Sequence, residues 1–217
     1  MHLLTPPGVY PAQEDTFQLI SSLRREPLAA DANVLDIGTG SGAVALAAAR
    51  RGASVTAVDV SRRALGTAWL NAALHGKRIG VRWGDLLEPV RGRLFDLVVS
   101  NPPYVPCPRS GLPTRGIARA WDAGPGGRAL IDRICREAPR VLRPGGVLLL
   151  VHSSLCGVSA TRTALESSGL RTRVVSRKRQ VFGPVMRARA AWLEQQGLVE
   201  PGQGYEELVV VRGERVR

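Results

Sequence analysis

Lysine is almost missing from this chain. Of its 30 basic residues only Lys77 and Lys178 are lysines, so 28 are arginines. Cysteine is also scarce. Cys107, Cys135 and Cys156 are odd in number, widely spaced and in no CxxC pair. That argues against a disulfide framework or a zinc site and fits a reducing, cytoplasmic setting. No run approaches the ~20 apolar residues of a membrane helix. Met1-His2-Leu3-Leu4-Thr5-Pro6-Pro7 has no basic region leading into an apolar core, so no secretion signal is expected. Repeats, low-complexity tracts and inter-domain linkers are absent as well. A chain of 217 residues is long enough for one well-cored domain and short for two, so one domain over 1–217 is expected.

What is abundant is positive charge, a net +12. Such a balance invites a nucleic-acid partner. An arginine bias is equally the product of a codon-biased genome, so the total says little. The distribution says more. Arg171, Arg173, Arg177, Lys178, Arg179, Arg187 and Arg189 fall in one span with no acid between them. A ribosome, RNA or acidic-protein contact and a merely solvated face explain this span equally well.

Strand and helix patterns alternate along the chain. Glu14 to Leu23 reads as an amphipathic helix, with Phe17, Ile20 and Leu23 on its apolar face and acids in its first turn. Asn33–Ile37 reads as a strand, Ala43–Arg51 as a helix and Ser54–Asp59 as a second strand. Ser61 caps a helix through His75, with Gly76 after it. Strands follow at Ile79–Trp83 and Leu94–Ser100, then a Gly/Pro-rich loop to Gly127 of the kind that is either functional or disordered. A helix over 128–140, strands at 147–152 and 170–175, helices at 159–167 and 185–196, and a last strand at 207–211 complete the pattern. This rhythm implies right-handed crossovers and a doubly wound α/β sheet.

Chemistry-bearing residues collect at the strand ends. Asp36-x-Gly38-x-Gly40-x-Gly42 joins a strand to a helix, where glycines let a ligand approach the backbone. The spacing is GxGxG, not the GxGxxG of a dinucleotide site. A helix N-terminus suits a carboxylate or phosphate, and an acid before the glycines suits an ammonium or sulfonium. S-adenosylmethionine carries a carboxylate, an ammonium and a sulfonium. Asp59 ends the second strand, where an acid can accept from ribose hydroxyls. Asp85 ends the third, placed to accept from an adenine amino group while Leu86 packs on the ring. Any one of these is commonly a cap or turn residue. Their joint placement at successive strand ends is harder to explain that way.

The fourth strand breaks into Asn101-Pro102-Pro103-Tyr104. Two prolines fix φ twice and remove two donors, so the exit is stiff and extended. Asn101 then stands at the carboxyl edge of the sheet, able to grip a planar nitrogen. Asn and Pro are also ordinary turn residues, so these four residues alone favour function only modestly. His152 ends the fifth strand, and a lone histidine there is more often structural. His2 and His75 look peripheral.

In this order, DxGxGxG, Asp, Asp-Leu and NPPY resemble a class I S-adenosylmethionine-dependent methyltransferase. With Val9-Tyr10-Pro11, Glu14-Asp15-Thr16-Phe17, Gly116-Ile117, Ala120-Trp121, Gly126-Gly127-Arg128 and Glu206-Glu207-Leu208, the chain is similar to the HemK-type protein-glutamine methyltransferases. It resembles most their short branch, which includes the eukaryotic and archaeal release-factor methyltransferase catalytic subunit. The resemblance implies a Rossmann-like seven-stranded sheet, mostly parallel with an antiparallel last strand. It implies that residues 1–30 close over the cofactor, through Thr16 and Asp15. Asp36, Gly38 and Gly40 would hold the methionine end, Asp59 the ribose, and Asp85 and Leu86 the adenine. Asn101, bordering the cofactor, and the Pro102 carbonyl would accept the two amide protons of the target. Tyr104 would lie against the amide plane, and Trp121 would line the substrate channel or anchor packing. The implied substrate is a release-factor glutamine. A nucleobase of rRNA, tRNA or DNA is the alternative. Some short-branch relatives work with a small zinc-binding activator subunit. The chain departs from the branch at 177–203, a longer, basic and helical insertion before the last strand.

Overall fold

The computed structural model describes residues 2–216. Its elements in chain order are α1 (Glu14–Arg25), β1 (Asn33–Ile37), α2 (Ala43–Arg50), β2 (Ser54–Asp59), α3 (Arg62–Leu74), β3 (Gly80–Trp83) and β4 (Phe95–Ser100). After these come α4 (Ala129–Glu137), β5 (Leu142–Ser153), α5 (Val158–Ser167), β6 (Leu170–Val181), α6 (Pro184–Ala188), α7 (Ala190–Gln195) and β7 (Tyr205–Arg215). The strands form one sheet in the order β3-β2-β1-β4-β5-β7-β6. β7 runs antiparallel to both its neighbours, and the other pairings are parallel.

The central strands are apolar on both faces because both faces are covered, as parallel sheets require. Val34, Val55, Ala57, Leu97, Val99, Leu149 and Val151 point to one layer, where Leu19, Ile20, Leu23 and the alanines of α2 meet them. Leu35, Ile37, Val58, Val98, Leu148 and Leu150 point to the other, against Ile131, Ile134 and Leu165. In α1 the buried apolar stripe is Leu19, Ile20 and Leu23, while Phe17 is half exposed. The predicted stripe was therefore one residue off, because Gln18 and Ser22 are also buried on that face. Gly42 shows why α2 can pack so closely. Its φ is +80°, and a Cβ there would come within 2.7 Å of Ala68 in α3.

Several boundaries differ from expectation; β7, expected at 207–211, runs Tyr205–Arg215, and α4, expected to 140, ends at Glu137. β5 begins at Leu142, five residues early, because Arg143-Pro144-Gly145-Gly146 bulges out within the strand rather than preceding it. Phe95 pairs with Leu142 and Leu97 with Val147. β6 runs on to Val181, so 177–181 is strand and only 182–204 lies between strands. Its long pairing with β7 carries the polar, Arg-rich sequence that reads poorly as a strand. The helix expected over 185–196 is broken at Arg189, whose φ and ψ of −106° and 1° are not helical. Arg189 turns aside to pair with Asp122 at 2.7 Å and to donate to the Pro106 carbonyl at 3.0 Å. Finally, the long loop after β4 is ordered structure. Val105 N donates to Trp121 O at 2.7 Å, Ala123 N to Val105 O at 3.1 Å and Cys107 N to Gly124 O at 3.0 Å.

Candidate active site

The carboxyl ends of β1, β2, β3 and β4 open into one cavity, the place where open α/β sheets bind ligands. Asp36, Gly38, Gly40, Asp59, Asp85, Leu86 and Asn101 all line it. The segment before α1 covers it with Gly8, Val9, Tyr10 and Ala12, and Thr16 of α1 completes that wall. Ile117 and Arg119 from the loop after β4 close the far side. Sequence reading missed Ile117, Arg119, Val60 and Leu130 as wall residues. Ile117 belongs to the Gly116-Ile117 pair already noted, with no wall role read for it; no motif marks the other three, which arrive through loop and helix packing.

Asp36 is almost wholly buried. Its Oδ2 accepts from Thr39 Oγ1 at 2.7 Å and Ala45 N at 3.0 Å. Burial nevertheless wins over these bonds and raises its pKa to about 7. Asp59 accepts from Gly40 N at 3.0 Å and Ser61 N at 2.8 Å, which ties the glycine turn to the end of β2. Burial raises its pKa too. Asp85 is more exposed and is held by Arg133 of α4, Nη2 to Oδ2 at 2.7 Å and Nη1 to Oδ1 at 3.4 Å. Leu86 has a φ of +46°, rare for a side chain with a Cβ, and lies at the cavity wall.

Four expected site residues stand elsewhere. Asp15 is not on the cavity wall. It is buried, and its Oδ2 accepts from Tyr104 Oη at 3.0 Å and Tyr10 Oη at 3.5 Å. Tyr104 is correspondingly buried against the core and turned onto Asp15. The cavity wall takes Pro103 of the proline pair and leaves out Pro102. Trp121 is half-buried and contributes its carbonyl to the loop stitching rather than its ring to the cavity. His152 is buried and neutral, its pKa lowered to about 4 by burial. Glu206 belongs to the Glu206-Glu207-Leu208 triplet noted in the sequence, where no site role was read for it. It is buried behind Tyr104, with Gln180 Nε2 donating to its Oε1 at 3.2 Å and its Oε2 unpartnered. Burial raises its pKa, and Asp15 adds to the rise.

A parallel sheet with one antiparallel strand next to last, and a ligand cavity at the β1–β4 ends, defines a class I methyltransferase. The family model described as "Methyltransferase small domain" matches residues 1–110. A Methanocaldococcus jannaschii protein, named as a candidate protein N5-glutamine methyltransferase, is 33% identical over 83% of this chain and 90% of its own length. A release factor glutamine methyltransferase of Xylella fastidiosa is 40% identical over 74% of this chain and 60% of its own length. This chain therefore spans well under the full length of that longer relative. Among solved structures, the E. cuniculi Mtq2-Trm112 complex, described as methylating the eRF1 translation termination factor, matches at 25% identity. Its TM-score is 0.66, covering 96% of this chain and 99% of that one. The chain belongs to the methyltransferase small domain family, on its protein-glutamine methyltransferase branch.

Proposed function

We propose that this methyltransferase uses S-adenosylmethionine to methylate the side-chain amide nitrogen of a glutamine in a peptide-chain release factor. The observation that carries this reading is the common cavity of Asp36, Asp59, Asp85 and Asn101. The residues fit the cofactor. Asp36 offers a carboxylate to an ammonium group, the glycine turn offers backbone donors, Asp59 faces a ribose, and Leu86, Val60 and Ile117 are apolar walls for an adenine. Asp85 is poised for the exocyclic amine, steadied by Arg133. When bound, S-adenosylmethionine supplies an electrophilic methyl group on a sulfonium.

The chain's own work is positioning. An amide nitrogen is a poor nucleophile because its lone pair is delocalised. Asn101 Oδ1, at the cavity wall, accepts one of its N–H groups, which enriches the lone pair and fixes its direction. Alignment of this kind contributes up to ~7–11 kcal/mol when ideal. Gly8, Val9, Tyr10, Ala12 and Thr16 form the cover of the cofactor site. The experiment is incubation with labelled cofactor and purified release factors. Label on a release factor supports the reading, and no label on any, free or ribosome-bound, sinks it. A nucleobase acceptor gains little from the basic span. Arg171, Arg177 and Lys178 are paired with Glu214, Glu207 and Glu14, Arg179 stacks on Tyr205, and Arg187 and Arg189 hold the 182–204 hairpin.

Asp36 makes the site pH-sensitive. With its folded pKa near 7 against an ordinary 3.8, the ligand-free protein holds a proton that the unfolded chain has lost. Its contribution to stability therefore falls as pH rises from about 4 to about 7 and is flat above. An ammonium group favours the ionised carboxylate. Cofactor binding at pH 6 is expected to release close to one proton, and affinity to rise until about pH 7. Calorimetry in buffers of different ionisation enthalpy measures this. Asp36→Asn abolishes the release.

A small activator subunit is proposed for the β3 edge. Among the described residues β3 has a neighbour on one side only. It exposes Trp83, 59% accessible, with Arg62 stacked on the ring at 4.6 Å. Trp69, Leu70 and Leu74 of α3 are also exposed beside it. An open edge with this much apolar surface is normally covered. Trp83→Glu is expected to abolish co-purification of the activator in pull-downs. Full turnover by the isolated chain contradicts the proposal.

A further inference from the structure

We infer that Asp15 is a positioning residue that sets the direction of the Asn101 amide through the hydroxyl of Thr16, and thereby makes the site select an amide over a carboxylate. The inference rests on the glutamine-amide reading above.

The argument is one of hydrogen-bond polarity. An ionised carboxylate accepts only. Asp15 has four donors turned on it: Thr16 N at 2.6 Å and Thr16 Oγ1 at 3.2 Å on Oδ1, and Tyr104 Oη at 3.0 Å and Tyr10 Oη at 3.5 Å on Oδ2. Burial and the Asp15 charge push both phenols far up, so they stay protonated donors. Thr16 has one hydroxyl proton, and it is spent on Asp15. Its oxygen is left to accept, and Asn101 Nδ2 donates to it at 3.2 Å. An amide group has two ends. With Nδ2 committed to Thr16, Oδ1 is the end presented to an incoming ligand. An acceptor at that place takes the N–H of a primary amide and repels a carboxylate.

The same carboxylate also holds the far end of the motif. Tyr104 is tied to Asp15 through its hydroxyl, so Asn101 and Tyr104 are both referenced to one buried charge on α1. This explains why Asp15 is buried away from the cavity it serves. It bonds Tyr104 directly and Asn101 through Thr16, and its own carboxylate stays behind the wall that Tyr10 and Thr16 form.

The test uses release factor with its target glutamine intact or replaced by glutamate, binding to the enzyme saturated with S-adenosylhomocysteine. Wild-type enzyme is expected to prefer the glutamine form. Asp15→Asn can donate to Thr16 and let that hydroxyl turn toward Asn101. Thr16→Val removes the acceptor altogether. Both are expected to shrink the glutamine-over-glutamate preference at least about tenfold, the worth of one hydrogen bond. Thr16→Ser, which keeps the hydroxyl, is expected to retain it. A merely structural role lowers affinity for both forms together and leaves the ratio fixed, and that result overturns the inference. Thr16→Val carries the test alone if Asp15→Asn does not fold. Wild-type enzyme with no preference for glutamine overturns the glutamine reading itself, and this inference with it.

Discussion

Asn101→Ala lowers methyl transfer by about 10²–10³-fold while cofactor affinity stays within a few-fold, as removal of one preorganised polar contact to a reacting group does. Asn101 stands at the end of β4, where the two prolines stop the chain from relaxing back into the sheet. Its Nδ2 donates to Thr16 Oγ1 at 3.2 Å at the cavity wall. Alanine keeps the backbone path and deletes the amide. The loss is therefore expected in kcat. Single-turnover kinetics with calorimetric cofactor affinity separates the two effects. Activity within tenfold of wild type removes Asn101 from the role proposed for it.

Gly127→Ala is expected to destabilise the fold by about 3–5 kcal/mol and to inactivate what remains folded. Gly127 has a φ of +68°, and a Cβ there would lie 2.3 Å from the Tyr104 carbonyl and 2.9 Å from Cys156 Sγ. Backbone cannot retreat as a flexible side chain can. The strand exit runs beside residues 121–124 through paired backbone bonds, so moving Tyr104 moves the whole Asn-Pro-Pro-Tyr segment. Thermal unfolding measures the first effect. Gly126→Ala is the control, since a Cβ there meets nothing within 4 Å. Equal melting of the two variants contradicts the packing argument.

How much of this was legible in the sequence differs by element. The glycine turn, the three strand-end aspartates and Asn101 were readable because each has a fixed offset from an apolar run, and the parallel sheet then brings those ends together. Ser61 was readable as a cap, and its Oγ accepts from Ala64 N at 3.3 Å. β6 was cut short because six of its last nine residues are polar or basic, and its pairing with β7 lies in tertiary structure rather than in periodicity. Asp15 was misplaced for a different reason. A helix's first-turn acid ordinarily serves the macrodipole, and nothing local reveals that Tyr104, 89 residues on, claims its oxygen. The contacts of Glu206 and Arg133 were invisible for the same reason, since each matters only through a partner from another element.

The proposed release-factor substrate is tested most directly by mass spectrometry of release factors after reaction with the purified enzyme and cofactor, with and without a small activator subunit. The account predicts one added methyl group on one glutamine side-chain amide, absent with Asn101→Ala. A methyl group on RNA, or on a protein side chain other than a glutamine amide, contradicts it.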